Sequence, residues 1–274
     1  MWVRLFMVFP EQIFDRLHRE FFAALKVCRN HPRRKAVHQL RTTARRLEAL
    51  LHAAKRRQRG DGTFEREVDR ALKALKPIRS AAGPVRDMDV QMQLLAEFVD
   101  RVGGSKLAGE RDATDEEVSK LRTTLMKNRK DAAAELVYVI ADATDKVLKD
   151  LNRLRTTLSD VKWQHLLKDA KGIQRKSAKD VAIEGPESLH RYRKHVKFAR
   201  YLGEMEASAA AEHFVQRLKK VLDAIGAWHD WMLLAQLARE ALGKSSTLTR
   251  LLKKERDRSL KQAIRSADSL RGRS

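Results

Sequence analysis

Two short stretches of the chain combine histidine with closely spaced arginine and lysine. The first is VHQLRTTARRLEALLHAAKRR at residues 37–57, and the second is LHRYRKHVKFARYL at residues 189–202. Arginine forms paired hydrogen bonds with phosphate oxygens, lysine supplies a positive charge on a flexible stem, and histidine donates a further hydrogen bond. Both stretches therefore have the chemistry of a phosphate-binding surface.

The basic residues of each stretch fall together if the stretch is helical. At about 100 degrees per residue, those of the first stretch occupy one face about 60 degrees wide, beside a separate apolar stripe. The members of this face are Arg34, His38, Arg41, Arg45, His52 and Arg56. A wider basic sector of the second stretch contains His190, Arg193, Lys194, Lys197 and Arg200. Like charges at helical spacing repel, so each face destabilises the free protein unless an anion neutralises it.

The chain as a whole is strongly basic. Its 274 residues include 58 Lys and Arg against 36 Asp and Glu, which gives a net charge of +22. This excess favours a polyanionic partner. The single cysteine, Cys28, excludes an internal disulfide and a cysteine-cluster metal site, as in a protein of the reducing cytoplasm. No apolar run is long enough to span a bilayer, so we expect a cytoplasmic protein without membrane insertion.

The elements that carry the basic residues are predicted to be helices. Only 12 Gly and 5 Pro interrupt a sequence rich in helix-forming residues, and apolar residues recur at helical spacing. We therefore predict an all-α protein. A first helix should end before Pro32, and a second should extend from about residue 33 to residue 57.

Turn-forming residues predict where the other helices end. Gly83 and Pro84 are predicted to turn the chain from a third helix into a fourth. Thr114 and Glu117 have the spacing of a capping box that opens a long polar helix. Loops are predicted at 60–63, 101–113 and 177–188.

The late part of the sequence repeats the early part. Aligning His38 with His190 places Arg41 on Arg193. We interpret this correspondence as an internal duplication, which predicts two quasi-symmetric antiparallel helical bundles.

A second pair of stretches extends the repeat. Aligning LKALKPIRSAAGPVRDMDV with VQRLKKVLDAIGAWHDWML places Gly83 on Gly226 and Asp87 on Asp230. The shared Asp is expected to cap a helix or to orient a basic neighbour.

These paired motifs resemble the two halves of a CHAD domain, the conserved-histidine α-helical domain. The resemblance is carried by VHQLRTTARRLEALL and LHRYRKHVKFARYLGE, each followed by GPVRDMDV or GAWHDWMLL, and it extends from about residue 11 to about residue 265. It implies two similar helical bundles that face each other across a basic cavity or groove. It also implies that this groove binds inorganic polyphosphate.

The resemblance identifies candidate binding residues in both halves. They are His38, Arg41, Arg45 and Arg46 in the first motif and His190, Arg193, Lys197 and Arg200 in the second. Further contacts are expected from the helices before each G..RD or G..HD motif, namely Lys73, Lys76, Arg79, Lys219 and Lys220. Arg34 and Lys194 complete the predicted set through their places on the two basic faces.

We predict a single domain at residues 11–265, with a first half of about 11–172 and a second of about 173–265. An apolar N-terminal segment, 1–10, precedes it, and a basic C-terminal tail, 266–274, follows it.

Nucleic acid is the main alternative partner, because the arginines that bind one phosphate chain also bind another. Aromatic residues make up 6% of the chain, and most lie on apolar stripes rather than on a stacking platform. Trp228 and Trp231 are most simply interpreted as core residues, with stacking on a base as the alternative.

A metal-dependent HD phosphohydrolase is a second alternative. His229 and Asp230 form an HD pair; the further ligand candidates are His190, His195, Asp257 and Asp268. The first half has Arg86 in place of His229, and a guanidinium does not ligate metal. We therefore predict a stand-alone binding protein with no catalytic residue, metal or cofactor. The resemblance to the CHAD family further implies association with polyphosphate granules.

The histidines suggest a pH dependence. Neighbouring cations should lower the pKa of His38 and His190 in the free protein, and a bound phosphate chain should raise it again. Binding is then expected to strengthen as the pH falls from about 8 to about 6.

Overall fold

The helix-forming composition is realised as eight α-helices in the part of the chain that the computed structural model describes. That part comprises residues 10–58, 62–102, 111–161, 163, 165–183 and 185–272. The helices are α1 (Pro10–Asn30), α2 (Arg34–Arg57), α3 (Thr63–Val102), α4 (Arg111–Thr157), α5 (Leu166–Asp180), α6 (Pro186–Gly203), α7 (Ala209–Leu242) and α8 (Thr247–Arg271), with a 3₁₀ turn at Leu158–Asp160 after α4. The predicted all-α fold is confirmed.

The apolar stripe of α2 directs its basic face away from the core. Val37, Leu40, Ala44, Leu47 and Leu51 are completely buried. Each buried side chain of this kind stabilises the fold by about 1.5–3 kcal/mol, depending on its size. The stripe therefore fixes the rotation of α2, and the arginines between its members must face the remaining side.

The helices pack mainly against their neighbours in sequence. One group consists of α1 to α4, and a second consists of α5 to α8. Contacts of α3 and α4 with α7, and of α2 with α6, join the groups. A single large hydrophobic core contains residues of both groups. The internal duplication of these groups stays a prediction.

A smaller core lies at the other end of the longest helices. It joins the C-terminal parts of α3 and α7 to the N-terminal parts of α4 and α8, with Phe98 against Trp231 at a ring separation of 5.8 Å. Trp231 and Trp228 are both buried. The interpretation of these tryptophans as core residues is therefore confirmed.

The predicted turn at Gly83 and Pro84 is wrong, because α3 continues through both residues. A Cβ atom at position 83 would lie 2.9 Å from Nη1 of Arg41, and one at position 226, inside α7, would lie 3.7 Å from Nη2 of Arg193. A Cβ atom at position 226 would make only an ordinary contact, whereas Gly83 leaves space that the Arg41 guanidinium occupies. The absence of a side chain serves close packing here instead of a change of direction.

The predicted capping box is also wrong. Thr114 lies inside α4, which begins at Arg111. Glu117 instead accepts a hydrogen bond of 2.9 Å from the backbone N–H of Leu248, in the first turn of α8. Its carboxylate therefore caps a helix that is distant in sequence.

Five other predicted segments differ from the structure or lie partly outside the described residues. The loop at 177–188 is shorter than predicted, since α5 ends at Asp180 and α6 begins at Pro186. α8 includes residues 266–271, which were assigned to the tail. The predicted segment 1–10 and the predicted loops at 60–63 and 101–113 are wrong at their edges, since Pro10 begins α1, Thr63 begins α3, and residues 101–102 and 111–113 are helical. The remainder of these predictions at 1–9, 60–61 and 103–110, and the last two residues of the chain, lie outside the described residues.

No helix in the described part of the chain has the length and apolar character that crossing a bilayer requires.

The two helical glycines provide a matched test of this packing. We expect Gly226→Ala to raise the free energy of unfolding by about 0.5–1 kcal/mol, because alanine favours a helix and meets only ordinary contact there. Gly83→Ala should gain less, because its Cβ displaces the Arg41 guanidinium. Denaturant unfolding of both variants measures the difference, and equal gains would show that Arg41 does not rest on Gly83.

Candidate functional site

Two adjoining cavities lie where α2, α3, α6 and α7 meet. One, of about 900 Å³, runs along α2 and α3. The other, of about 410 Å³, is enclosed by α3, α6 and α7. Arg86, Val90 and Arg200 line both cavities. We call the two cavities together the central groove.

Arg86 connects the two helix groups beneath the central groove. Its Nη1 donates to Oδ1 of Asp230 on α7 at 2.9 Å and to Oδ1 of Asp87 at 3.0 Å. Burial alone would lower the pKa of Arg86, but the two carboxylates outweigh it and raise the pKa. Burial would likewise raise the pKa of Asp230, but the neighbouring His229 and the hydrogen-bonded Arg86 hold it below its usual range. Both aspartates therefore orient a basic neighbour, which is one of the two roles predicted for them.

Glu204 joins α2 to α6 at one side of the groove. Its Oε2 accepts from Nε of Arg46 at 3.0 Å, and its Oε1 accepts from Nε of Arg200 at 2.7 Å. A single carboxylate therefore serves two guanidinium groups. One positive charge of this trio remains uncompensated.

A second ion pair lies behind the groove, between α2 and α3. Arg79 Nε donates to Oε1 of Glu48 at 2.6 Å. Burial raises the pKa of Glu48, with Arg79 acting in the opposite direction. The pair holds Arg79 in a structural contact rather than directing it into either cavity.

Four further cations at this junction form no ion pair with a carboxylate of the described residues. They are Arg41, Arg45, Arg193 and Lys197. The Nε atoms of Arg45 and Arg193 are buried without a hydrogen-bond partner. Leaving such donors unpaired is unfavourable, and an anion that accepts from them would remove the penalty.

Lys197 is affected most by this crowding. Burial, reinforced by the charges of Arg45 and Arg193, lowers its pKa to about 6. Burial and the neighbouring Arg45 lower the pKa of Arg41 to about 10. The free protein therefore keeps part of this site uncharged at neutral pH.

The two motif histidines occupy different surroundings. His38 lines the larger cavity, and its pKa is lowered by burial and then by Arg86 and Lys197. His190 lines neither cavity and stacks on His229 at a ring separation of 5.8 Å. Its pKa is lowered by burial and then by Lys194 and His229. The predicted direction is confirmed for both histidines, although burial is the larger cause.

The structure brings only part of the predicted set into the groove. The cavity-lining members are Arg34, His38, Arg46, Arg193, Lys197 and Arg200. Arg41 and Arg45 lie behind them and act on Lys197 through their charge. Five members of the predicted set line neither cavity and are exposed on the protein surface, namely Lys73, Lys76, Lys194, Lys219 and Lys220.

Two residues of the predicted basic face lie beyond the groove. The guanidinium of Arg56 lies 5.2 Å from the ring centre of Phe198, and His52 packs edge-on against the same ring.

Lys219, on α7, donates to Asp223 at 2.6 Å, and Asp223 lines the smaller cavity.

Sequence reasoning missed Arg86 and Lys35 as groove residues. Arg86 follows Arg79 by two helical turns on the same helix, which would have placed both on one face. The interpretation of Gly83 and Pro84 as a turn concealed that spacing. Lys35 adjoins Arg34 at the start of α2 and lines the larger cavity with it, and Arg34 donates to Gln93 of α3, which lines the smaller cavity.

In the HD pair, His229 and Asp230, the aspartate forms an ion pair with a neighbouring arginine. Asp230 holds Arg86, and its Oδ1 lies 3.9 Å from Nδ1 of His229. Within the described residues, no three His, Cys, Asp or Glu side chains are grouped as a metal ion would require.

The sequence and the fold of this chain have counterparts in known proteins. A family model described as the CHAD domain matches residues 12–239. The fold is similar to that of PptA from Streptomyces chartreusis, with a TM-score of 0.70 and 15% identity over 94% of this chain and 95% of that one. It is also similar to the CHAD domain from the plant Ricinus communis, with a TM-score of 0.59 and 16% identity over 96% and 89%. A comparison with curated proteins gives no match. Since the family model spans most of its length, the chain belongs to the CHAD domain family.

Proposed function

We propose that this protein binds inorganic polyphosphate in the central groove, without catalysing a reaction on it, and associates through this binding with polyphosphate granules. The observation that carries the proposal is the cluster of Arg45, Arg193 and Lys197, whose charges face one another without carboxylate partners. A protein that used these residues only for stability would pair them or replace them.

A phosphate chain matches the shape and charge of the groove. Arg34 and His38 line the larger cavity, Arg193 and Lys197 line the smaller one, and Arg86 and Arg200 line both. Successive phosphates each carry negative charge and several acceptor oxygens, so they supply partners at every step. The extended groove therefore favours a polymer over a single phosphate ion.

The groove offers little to a nucleic acid base. No Phe, Tyr or Trp lines either cavity in the described part of the chain. Proteins that bind single strands commonly stack bases on such side chains. Phosphate contacts alone would give nucleic acid a weak, strongly salt-dependent association.

Binding is coupled to protonation through Lys197. The pKa of this ammonium is about 6 in the free protein, and a bound phosphate chain raises it because opposite charge favours the protonated form. Between the free and bound pKa values, the complex therefore holds more protons than the free protein. Affinity must then increase as the pH falls through this window and level off below the free value.

The crowding around Lys197 predicts a gain in stability when its charge is removed. We expect Lys197→Met to raise the melting temperature of the free protein at pH 6 by roughly 2–4 °C, equivalent to about 1 kcal/mol in a chain of this size. Lys220→Met removes the same charge from an exposed position on α7 and should change the melting temperature little. Calorimetric melting compares them, and an equal or lower value for Lys197→Met would contradict the repulsion.

Competition at near-physiological salt tests the proposed ligand. Labelled long-chain polyphosphate is bound to the protein and challenged with RNA and with DNA at equal phosphate concentration. We expect the protein to retain polyphosphate. Lys197→Met should lower the affinity for polyphosphate by about tenfold or more, as for the loss of a charged hydrogen bond. Lys220→Met should stay within about twofold, since an exposed charge contributes little. If RNA or DNA displaces polyphosphate at equal phosphate concentration, and the two variants bind polyphosphate equally well, the interaction depends only on net charge.

Proton uptake tests the coupling. Calorimetric titration with long-chain polyphosphate, in buffers of different ionisation enthalpy, should detect uptake near pH 7.5 in the wild type and less in Lys197→Met. The affinity should fall as the pH rises from about 6 to about 9, by at most tenfold per unit for each proton. Long chains are used because only their terminal phosphates titrate in this pH range, and these are a small fraction of the ligand. Equal uptake by the two proteins would exclude Lys197 as the coupled group.

A further inference from the structure

A separate cavity of about 910 Å³ lies between α7 and α8. It shares no lining residue with the central groove. At about 100 degrees per residue, Met232, Ala235 and Arg239 lie on the face of α7 opposite Gly226 and Asp230. α7 therefore separates the two sites, and the volume of this cavity is typical of a site for a small organic molecule.

Positive charge dominates the rim of this cavity. Its cations are Arg239, Lys244, Arg250, Lys253 and Arg256, and its one carboxylate is Glu240. Arg256 is bound by Asp257 outside the cavity, and Arg250 donates to Thr247. Glu240 accepts a hydrogen bond of 3.0 Å from Gln236.

Three of these cations have no carboxylate partner among the described residues, namely Arg239, Lys244 and Lys253. They come from α7, from the connection to α8 and from α8 itself. Charges of one sign that converge from three segments suit an anionic ligand.

Thr249 supplies a second, independent observation. The residue lines the cavity, is only 7% exposed, and its Oγ1 has no hydrogen-bond partner. The start of α8 is already satisfied, because the N–H of Thr249 donates to Ser246 at 3.1 Å and that of Leu248 donates to Glu117 at 2.9 Å. The unpaired group is therefore the hydroxyl, which a ligand oxygen would satisfy.

The cavity also offers a surface to an apolar group. Met232 and Ala235 form part of its wall, and the amide of Gln236 adjoins them. A methionine thioether makes favourable contacts with aromatic rings. Among the described residues, no methionine lines the central groove.

We propose that this cavity binds a nucleoside triphosphate, whose base packs against Met232 and Ala235 and whose phosphate oxygens accept from the Thr249 hydroxyl beside Arg239, Lys244 and Lys253. The three features required of such a ligand are an aromatic body, negative charge and an acceptor for a buried hydroxyl. The proposal is independent of polyphosphate binding in the central groove.

Methyl NMR of the full-length chain tests the proposal with ATP as the probe. The Met232 methyl signal, assigned through Met232→Leu, should shift saturably with ATP. Thr249→Val should weaken this binding by about tenfold or more, because it removes one hydrogen bond to a charged acceptor. Lys197→Met, in the central groove, should leave it unchanged. Inorganic triphosphate should bind about tenfold more weakly than ATP at this signal, and adenosine should not saturate it.

Three results would overturn the proposal. They are a Met232 signal that does not respond to ATP, inorganic triphosphate that binds as tightly as ATP, and unchanged affinity in Thr249→Val. Because Thr249→Val removes an unpaired buried hydroxyl, its melting temperature should not fall. If that variant folds poorly, Lys253→Met at an exposed position provides the second test, with the same loss of ATP affinity expected and an unchanged affinity counting against the site.

Discussion

The ion pair between Arg86 and Asp230 determines the electrostatics of the whole junction. It links α3 to α7 across 144 residues of sequence. Because Arg86 also binds Asp87, two carboxylates of the junction are bound to one guanidinium. Arg45, Arg193 and Lys197 are left to face one another. One of the contacts that connect the two helix groups thus also leaves the excess of positive charge on which the proposed function depends.

The apolar core must offset that excess. The stripe of α2 and the large core common to both helix groups hold the basic faces together despite their repulsion. Gly83 lets the Arg41 guanidinium pack close to α3. The strain is released partly by keeping Lys197 uncharged, since its pKa is about 6. Stability and ligand affinity therefore oppose each other at this residue, so the variant that is more stable should bind less well.

Periodicity predicted the fold and the orientation of α2 well, because a helix with a fully apolar stripe has one way to pack. It could not predict which basic residues reach the groove. Lys73 and Lys76 have the right type but an exposed place on α3, whereas Arg86 was overlooked because Gly83 and Pro84 suggested a turn. Propensity describes the isolated segment, while the contact of Arg41 with Gly83 depends on a neighbouring helix. Likewise, the unpaired state of Lys197 depends on where Asp87 and Asp230 are bound, which spacing does not encode.

The most direct test of the account is an NMR titration of the Lys197 side-chain ammonium, without ligand and with saturating long-chain polyphosphate. The account predicts a pKa of about 6 in the free protein, rising by at least two units in the complex towards the usual value for lysine, about 10.4. A pKa that is ordinary in the free protein, or that stays low in the complex, would contradict the claim that unpaired cations in the central groove await a phosphate chain.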